Sequence, residues 1–343
     1  MGRFRRLPEG EPGAKIPSGR GAVQAVKAAL RGTGIKHKLP RPRATTNMPG
    51  PSQRVHGLFT ALITPFDDTG KVDTDRLSDL VHFQISKGTE GIFPCGSTGL
   101  GPALGPDERK AVAEAVLNTA HGRVPVVVQV GSADTASSVA LAKHAEQEGA
   151  DAVASLTPYY YKPGEKAIIR HFESISGAVS IPVFAYNIPQ FTGNNLSAGT
   201  VAAMAKEGII AGIKDSSRDL LQLIDLLEAV PDEFVVMNGT EEYALYAIMG
   251  GADGLVSGGA SALPEVFKSL VAAQRTGDYK SAMQAQALVQ KVKDLVKPSP
   301  ISAYYAILRE RGVECGTPRA PMLPMQKADT ERMIGGLKEL RLI

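Results

Sequence analysis

Lys214 stands at the end of a short apolar segment and offers amine chemistry. The segment, residues 209–213, reads IIAGI and is followed by Lys-Asp-Ser-Ser. A free lysine has a pKa of about 10.4, and burial among apolar groups lowers the pKa of a lysine by up to roughly 3–5 units. A lysine that burial keeps neutral attacks a ketone and forms a Schiff base. The competing interpretation is a structural lysine that forms an ion pair with Asp215.

Other polar side chains follow further apolar segments and supply what Schiff-base chemistry needs beside an amine. Those needs are a proton shuttle and donors for the substrate carboxylate. Tyr186 follows the segment 181–185, and Ser97 and Thr98 lie in a Gly-rich turn. No histidine follows any of these segments, and a metal-dependent aldolase would need a histidine cluster there. We therefore predict a site without metal or cofactor.

Apolar segments of three to six residues recur from His56 onward, and between them lie segments with apolar residues at i, i+3 and i+4. The second spacing indicates helices, and the unbroken apolar segments are typical of strands covered on both faces. Eight such strands alternating with helices predict a (β/α)8 TIM barrel of the α/β class, with its chemistry at the C-terminal ends of the strands. The predicted strands are 58–63, 91–94, 125–130, 152–156, 181–185, 209–213, 234–237 and 254–256.

The chain continues beyond the eighth strand for longer than a minimal barrel needs. Helical spacing and proline breaks predict additional C-terminal helices at 264–275, 279–297, 302–311 and 329–340. The predicted organisation is a basic leader over residues 1–50, the barrel over 56–262, and the last barrel helix with a C-terminal helical extension over 263–343.

The net charge of +3 conceals two regions of opposite charge. Residues 1–50 hold eleven of the 38 Lys and Arg but two of the 35 Asp and Glu, which leaves 27 basic and 33 acidic residues in the remainder. An acidic body argues against a nucleic-acid partner. Two cysteines, Cys95 and Cys315, cannot form a disulfide framework, so we predict a reducing compartment, the cytoplasm. No apolar run reaches the roughly 18 residues that span a membrane, so no membrane partner is expected.

The leader is rich in Arg, Pro and Gly and poor in acids. Such a composition is typical of an organelle transit segment. It is equally compatible with upstream sequence read from a start codon placed too early, with Met48 as the natural first residue. Either origin predicts disorder over residues 1–50.

Four motifs stand in order at the ends of predicted strands. They are GSTG (96–99), TPYYY (157–161), YNIP followed by TG (186–193) and GIKDSS (212–217). With these motifs the chain resembles the dihydrodipicolinate synthase/N-acetylneuraminate lyase family of pyruvate-dependent class I aldolases. The resemblance runs from about Leu58 to the C-terminus.

The resemblance implies a role for each matching residue. Lys214 forms the Schiff base with pyruvate, Tyr186 is the general acid and base, and Ser97 belongs to the proton relay. Thr98, with backbone N–H groups, holds the pyruvate carboxylate. Tyr160 matches a relay tyrosine that family members donate across a subunit interface, so the resemblance implies a homo-oligomer, a dimer at least and commonly a tetramer. The candidate substrate-binding residues are Gly96, Thr98, Gly99, Phe191, Glu241, Glu242 and Val256.

Two positions depart from the family pattern. Leu100 replaces the acid that usually ends the GSTG turn. Phe191 stands where dihydrodipicolinate synthases carry an arginine that grips the carboxylate of the second substrate, an aspartate semialdehyde. A phenyl ring cannot replace a bidentate guanidinium.

Phe191 decides the order of the functional hypotheses. The first is a lyase that cleaves, dehydrates or forms a 2-keto acid of the 2-keto-3-deoxy sugar acid type through a Lys214–pyruvate imine. The alternative is 4-hydroxy-tetrahydrodipicolinate synthase, which joins pyruvate and aspartate semialdehyde in lysine biosynthesis. A third is a barrel that binds a keto acid without turnover. Glu241 and Glu242 either begin a solvated helix, where acids suit the dipole, or accept hydrogen bonds from sugar-acid hydroxyls.

Deletion of residues 1–47 is expected to leave the melting temperature and catalytic rate unchanged, because a basic segment rich in Pro and Gly buries too little apolar surface to fold. Thermal unfolding of the full-length and shortened chains, followed by circular dichroism, checks this. A lower melting temperature in the shortened chain would show that the leader packs on the barrel.

Overall fold

The structure is a computed structural model that describes residues 55–343, so the predicted leader lies outside the described residues. Within them, eight parallel strands form one sheet in the order β2-β1-β8-β7-β6-β5-β4-β3. A bridge between Ile92 and Val126 joins β2 to β3 and nearly closes the barrel. The predicted (β/α)8 fold is thus confirmed. The strands are β1 (Gly57–Ala61), β2 (Gly91–Phe93), β3 (Val127–Gln129), β4 (Ala152–Leu156), β5 (Val183–Asn187), β6 (Gly212–Asp215), β7 (Val235–Asn238) and β8 (Gly254–Ser257).

Helices surround the barrel and continue beyond it, as the sequence predicts. Side-chain caps fix several starts: Ser197 and Asp219, for example, accept hydrogen bonds from backbone N–H groups of the first turn. The helices are α1 (Thr74–Lys87), α2 (Pro106–Ala120), α3 (Thr135–Gln147), α4 (Glu165–Ser176), α5 (Ala198–Lys206), α6 (Leu220–Ala229), α7 (Ala244–Met249), α8 (Pro264–Thr276), α9 (Tyr279–Val296), α10 (Pro300–Glu310) and α11 (Lys327–Glu339), with a single turn at Pro189–Thr192 after β5.

Two hydrophobic cores explain why the strand sequences do not alternate between apolar and polar. Val127 of β3 packs inside the barrel with residues such as Phe59 and Phe93. Its neighbours Val126 and Val128 face outward and pack between strands and helices. Both faces of each strand are therefore buried, and both need apolar side chains.

The strand limits around Lys214 differ from the prediction. Residues 209–213 were expected to form the sixth strand, but β6 begins only at Gly212 and ends at Asp215. The backbone N–H of Ile209 instead donates to Met204 O and closes the end of α5. Lys214 thus lies within the hydrogen-bonded strand rather than after it, and Tyr186 likewise lies inside β5.

The C-terminal helices support the ends of distant strands. Tyr305 of α10 donates a hydrogen bond of 2.6 Å from its hydroxyl to the carbonyl of Thr64, which follows β1. Gln286 of α9 donates to the carbonyl of Glu241 and accepts from the N–H of Leu245, after β7. Among residues 55–343, no helix is long and apolar enough to cross a membrane.

Candidate active site

Lys214 projects into the barrel between two aromatic rings. It pairs in register with Tyr186 of β5 and Met237 of β7, which both belong to the inner core. Lys214 is 5% exposed, and its Nζ atom lies 4.0 Å from the ring centroid of Tyr186 and 4.4 Å from that of Phe93. Ring faces attract a cation, whereas burial disfavours one. The amine is therefore held in a fixed, largely water-free place at the C-terminal end of the barrel.

Asp215, the next residue, is not the partner of this amine. Successive side chains of a strand point to opposite faces, and the Asp215 carboxylate accepts hydrogen bonds from Asn187 Nδ2 (2.9 Å) and Ser217 Oγ (2.7 Å). Burial raises the pKa of Asp215, although these hydrogen bonds oppose the shift. The structure thus contradicts the interpretation of Lys214 as one half of an ion pair with Asp215.

Gly239 lies beside the Lys214 side chain and, having no side chain of its own, leaves room for it. A Cβ atom at Gly239 would lie 3.1 Å from Lys214 Cε and only 1.9 Å from Ser216 Oγ. A side chain here would have to displace the Ser216 hydroxyl and would crowd Asp215 O and Lys214 Cε. Glycine at this position therefore gives the lysine side chain its space.

Tyr186 is buried beside Lys214 and approaches Ser97 with its hydroxyl. The Tyr186 OH and Ser97 Oγ atoms lie 3.4 Å apart, and either can donate. The Tyr186 ring meets the edge of Phe93 at a centroid distance of 5.7 Å, which fixes its orientation. The structure therefore brings together three of the residues that the sequence analysis placed in the site.

The GSTG turn is held by hydrogen bonds from Gly101, just after the turn, and from Thr64, which follows β1. Gly101 donates a hydrogen bond of 3.0 Å from its N–H to Gly96 O, and Thr64 Oγ1 donates to Gly99 O at 2.7 Å. A Cβ atom at Gly99 would lie 2.6 Å from Leu62 O, so only glycine fits. Both candidate glycines thus shape the turn that presents Ser97 and Thr98.

Two residues of this turn have left-handed backbone conformations. Cys95 has a φ of +59° and Leu100 a φ of +55°, an uncommon region for side-chain-bearing residues. Burial raises the pKa of the Cys95 thiol to about 11, despite the nearby Arg109 guanidinium, so this thiol is inert rather than nucleophilic. Leu100 is buried where the family carries an acid.

Thr98 lies against the loop that follows β8. A Cβ atom at Gly258 would lie 2.9 Å from Thr98 Oγ1 and 3.6 Å from Tyr304 Cε2, so backbone and hydroxyl pack closely. Val256, two residues earlier, faces the barrel interior among the inner core residues. The predicted carboxylate subsite is thus bounded on one side by the end of β8.

Tyr160 is not packed beside Tyr186 within the chain. It is 86% exposed, and its φ of +77° is strained for a residue with a side chain. The ring of Tyr161 meets it edge-on at 5.1 Å. The relay that the resemblance implies therefore cannot be completed by Tyr160 of the same chain.

Phe191 lies in the single turn after β5 and is 70% exposed, next to the tyrosine-rich loop. Asn194 joins the two loops, because its Nδ2 donates to Pro158 O at 2.7 Å and to Tyr161 O at 3.1 Å. Lys162 Cε lies 3.7 Å from the place a Cβ at Gly193 would occupy. The side chain of Lys162 therefore lies beside Gly193, two residues along the chain from the phenylalanine that replaces the family arginine.

Glu241 has a different environment from the one expected of a substrate-binding acid. Its carboxylate is buried and already accepts hydrogen bonds from Ser257 Oγ and from the N–H of Gly259. Glu242 is half-buried, and its Oε1 lies 3.6 Å from Lys293 Nζ. Both oxygens of the Glu241 carboxylate are thus directed at protein groups, Oε2 at Lys293 Nζ 3.0 Å away, which argues against the expected contact with substrate hydroxyls.

Phe93 is a site residue that the sequence analysis missed. It is the last residue of β2, on the inner face, and contacts both Lys214 and Tyr186. Its place near the C-terminal end of the predicted strand 91–94, where the chemistry of such a barrel lies, was the available signal. Among the described residues, one group could hold a metal ion, Glu114, His144 and Glu148, and it lies on the outer helices α2 and α3 or just after them.

Comparison with known proteins agrees with this fold and arrangement. A family model described as the dihydrodipicolinate synthetase family matches residues 54–340. A 4-hydroxy-tetrahydrodipicolinate synthase of Desulfotalea psychrophila is 35% identical over 301 residues, 86% of this chain and 100% of the relative. One of Anaeromyxobacter dehalogenans is 38% identical over 275 residues, 79% of this chain and 93% of the relative.

A solved structure shows the same architecture. YagE from E. coli K12, a prophage protein of the dihydrodipicolinic acid synthase family in complex with pyruvate, has a TM-score of 0.80 and 27% sequence identity. The match covers 84% of this chain and 99% of that chain. Barrel, strand-end lysine and relatives together define a lyase of the class I aldolase type. The chain belongs to the dihydrodipicolinate synthetase family.

Tyr186→Phe is expected to reduce kcat by roughly 10²–10⁴, the usual share of general acid–base catalysis. The phenyl ring keeps the contacts with Phe93 and Lys214, so the melting temperature should change little. Steady-state kinetics and thermal unfolding measure the two effects. Tyr279→Phe at the start of α9, an exposed tyrosine outside the strand-end motifs, is the matched control. Wild-type kcat in Tyr186→Phe would rule out the assigned role.

Proposed function

We propose that this protein is a 4-hydroxy-tetrahydrodipicolinate synthase that binds pyruvate as an imine on Lys214. The observation that carries the proposal is the buried Lys214 amine between the rings of Tyr186 and Phe93. The names of the curated relatives support this activity over the sugar-acid lyase that the sequence analysis put first. Pyruvate in the YagE complex supports the first substrate.

The proposed reaction uses the amine as a nucleophile and then as an electron sink. The Lys214 nitrogen attacks the keto carbon of pyruvate, and the keto oxygen leaves as water, giving the imine. Loss of a methyl proton produces an enamine, whose carbon attacks the aldehyde carbon of the second substrate. The new alkoxide takes a proton, which we assign to the Tyr186 and Ser97 hydroxyls because their oxygens lie 3.4 Å apart beside Lys214. The amino group of the condensed semialdehyde then attacks the imine carbon and displaces the Lys214 nitrogen, which closes the product ring and returns the free amine.

The proposed working unit is a homo-oligomer in which Tyr160 reaches the site of a partner subunit. The support is its backbone strain together with its exposure at the mouth of the barrel. Strained backbone persists where function or surrounding structure requires it, and costs of order 1–3 kcal/mol. A mixture of Tyr160→Phe and Tyr186→Phe subunits should then regain activity that neither variant has alone.

The proposed compartment is the cytoplasm or another reducing environment. Both cysteines, Cys95 and Cys315, are free and buried. Burial raises the pKa of the Cys315 thiol to about 12, as it raises that of Cys95 to about 11. Thiols of this kind are packing groups and need no oxidising surroundings.

Phe191 supports a second candidate, a lyase for 2-keto-3-deoxy sugar acids. An exposed phenyl ring offers no charge to a second carboxylate, whereas neutral hydroxy-aldehydes need none. Lys162, tied to the same loop region through Asn194, supports the first candidate, because its ammonium can take over the task of the missing guanidinium. The two candidates therefore differ in what Lys162 does.

Incubation with pyruvate and borohydride is expected to reduce the imine and leave a pyruvyl group on Lys214, identified by peptide mass spectrometry. Lys214→Ala should abolish both the adduct and turnover, since among residues 55–343 Lys214 is the lysine that lies over the rings of Tyr186 and Phe93. Lys280→Ala, an exposed lysine on α9, is the control and should keep both. An adduct on another lysine, or none, would refute the mechanism.

Lys162→Met is expected to lower kcat/KM for aspartate semialdehyde about 10–100-fold, the loss of one charge-assisted hydrogen bond of roughly 1.5–3 kcal/mol. Borohydride trapping of pyruvate should be unaffected. Lys166→Met, an exposed lysine on α4, is the matched control.

Phe191→Arg should raise kcat/KM for the semialdehyde. If the wild type uses neutral hydroxy-aldehydes and rejects the semialdehyde, the second candidate function is correct.

A further inference from the structure

The buried carboxylate of Glu241 joins the loop after β7 to the end of β8. Its Oε1 atom accepts hydrogen bonds from Ser257 Oγ at 2.6 Å and from the N–H of Gly259 at 2.7 Å. Ser257 Oγ in turn accepts from the N–H of Ala260 at 2.9 Å. One carboxylate oxygen therefore fixes the backbone on both sides of Gly258.

The other oxygen of the same carboxylate faces a cation from outside the barrel. Lys293 of α9 places its Nζ atom 3.0 Å from Glu241 Oε2. Burial by itself would raise the pKa of Glu241, but Lys293 and the hydrogen bonds more than offset it, so the pKa lies below its usual value. Glu241 is thus an ionised group in a buried place, and loss of its charge would leave Lys293 without its closest acid.

The backbone that Glu241 fixes lies against Thr98. Gly258 is so close to this threonine that a Cβ atom would lie 2.9 Å from Thr98 Oγ1. Gly259 has no room to move outward, because a Cβ there would lie 2.6 Å from Phe267 Cζ. The position of the Thr98 hydroxyl therefore depends on where the loop 257–259 is held.

We infer that Glu241 is a positioning residue, which holds the loop 257–259 against Thr98 and thereby sets the geometry of the subsite for the pyruvate carboxylate. The inference rests on the proposed function, because Thr98 has this task only if pyruvate is the substrate. Glu241 does not touch the substrate. The ion pair with Lys293 makes the C-terminal helix α9 part of the support of the site.

The expected signature is weaker pyruvate binding with little change in the chemical step. Glu241→Gln keeps the size of the side chain but removes its charge and one of its acceptor oxygens. The loop then loses its strongest restraint, since hydrogen bonds to a carboxylate are about twice as strong as neutral ones. The pyruvate concentration that half-saturates borohydride trapping should rise about tenfold, as should KM for pyruvate, while kcat stays within about threefold.

Glu90→Gln is the matched control at the opposite end of the barrel. Glu90 precedes β2, pairs with Arg275 of α8 and accepts a hydrogen bond from the N–H of Leu58 at 2.8 Å. This variant also weakens an ion pair with a helix and a hydrogen bond from a backbone N–H group. Glu90, however, lies at the N-terminal end of the strands, and Thr98 lies at the C-terminal end. Its melting temperature should fall as in Glu241→Gln, and its KM for pyruvate should stay at the wild-type value.

The outcomes separate the inference from the proposed function. If wild-type protein gives no adduct on Lys214, the proposed function fails. If it gives the adduct and Glu241→Gln half-saturates at the wild-type pyruvate concentration, Glu241 is structural and the inference is wrong. Should Glu241→Gln fail to fold, Ser257→Ala removes one link of the same support without a charge change. A raised KM at constant kcat in Ser257→Ala supports the inference, and a wild-type KM overturns it.

Discussion

The burial of one amine between two aromatic rings is the constraint on which this site depends. Lys214 sits where a charged group is poorly solvated, and the faces of Tyr186 and Phe93 offer only part of what water would. An all-parallel barrel provides such a place, because its strands end together around one axis. Gly239 leaves room for the Lys214 side chain, and the pairing of β5 with β6 holds Lys214 and Tyr186 side by side.

The strand ends that surround the amine are supported from outside the barrel. Tyr305 of α10 bonds to the carbonyl of Thr64, and Lys293 of α9 neutralises Glu241 behind the end of β8. The additional C-terminal helices thus do more than cover apolar strands. They hold in place the turns at the C-terminal ends of the strands, and a buried ion pair is costly to break because the remaining partner would be left without compensation.

The candidate catalytic residues and the residues proposed to select the second substrate lie in different parts of this fold. Lys214, the amine that the proposed function uses to form an imine, and Tyr186 beside it lie on paired strands inside the barrel, where packing leaves little freedom. Phe191 and Lys162 lie on exposed loops at its mouth, joined through Asn194. Loops on a rigid scaffold tolerate substitution, so under the proposed function the second substrate can change while imine formation with the first is kept.

The sequence by itself determined the eight strands, the family and the meeting of Lys214, Tyr186 and Ser97. These follow from local patterns, since apolar segments give the strands and parallel strands gather their C-terminal residues at one end. Only the tertiary structure decided where β6 begins, that Phe93 flanks the amine, and that Glu241 is buried against Ser257 and Lys293 instead of facing solvent. Register and side-chain partners are set by contacts between residues far apart in the chain, and no local spacing specifies them.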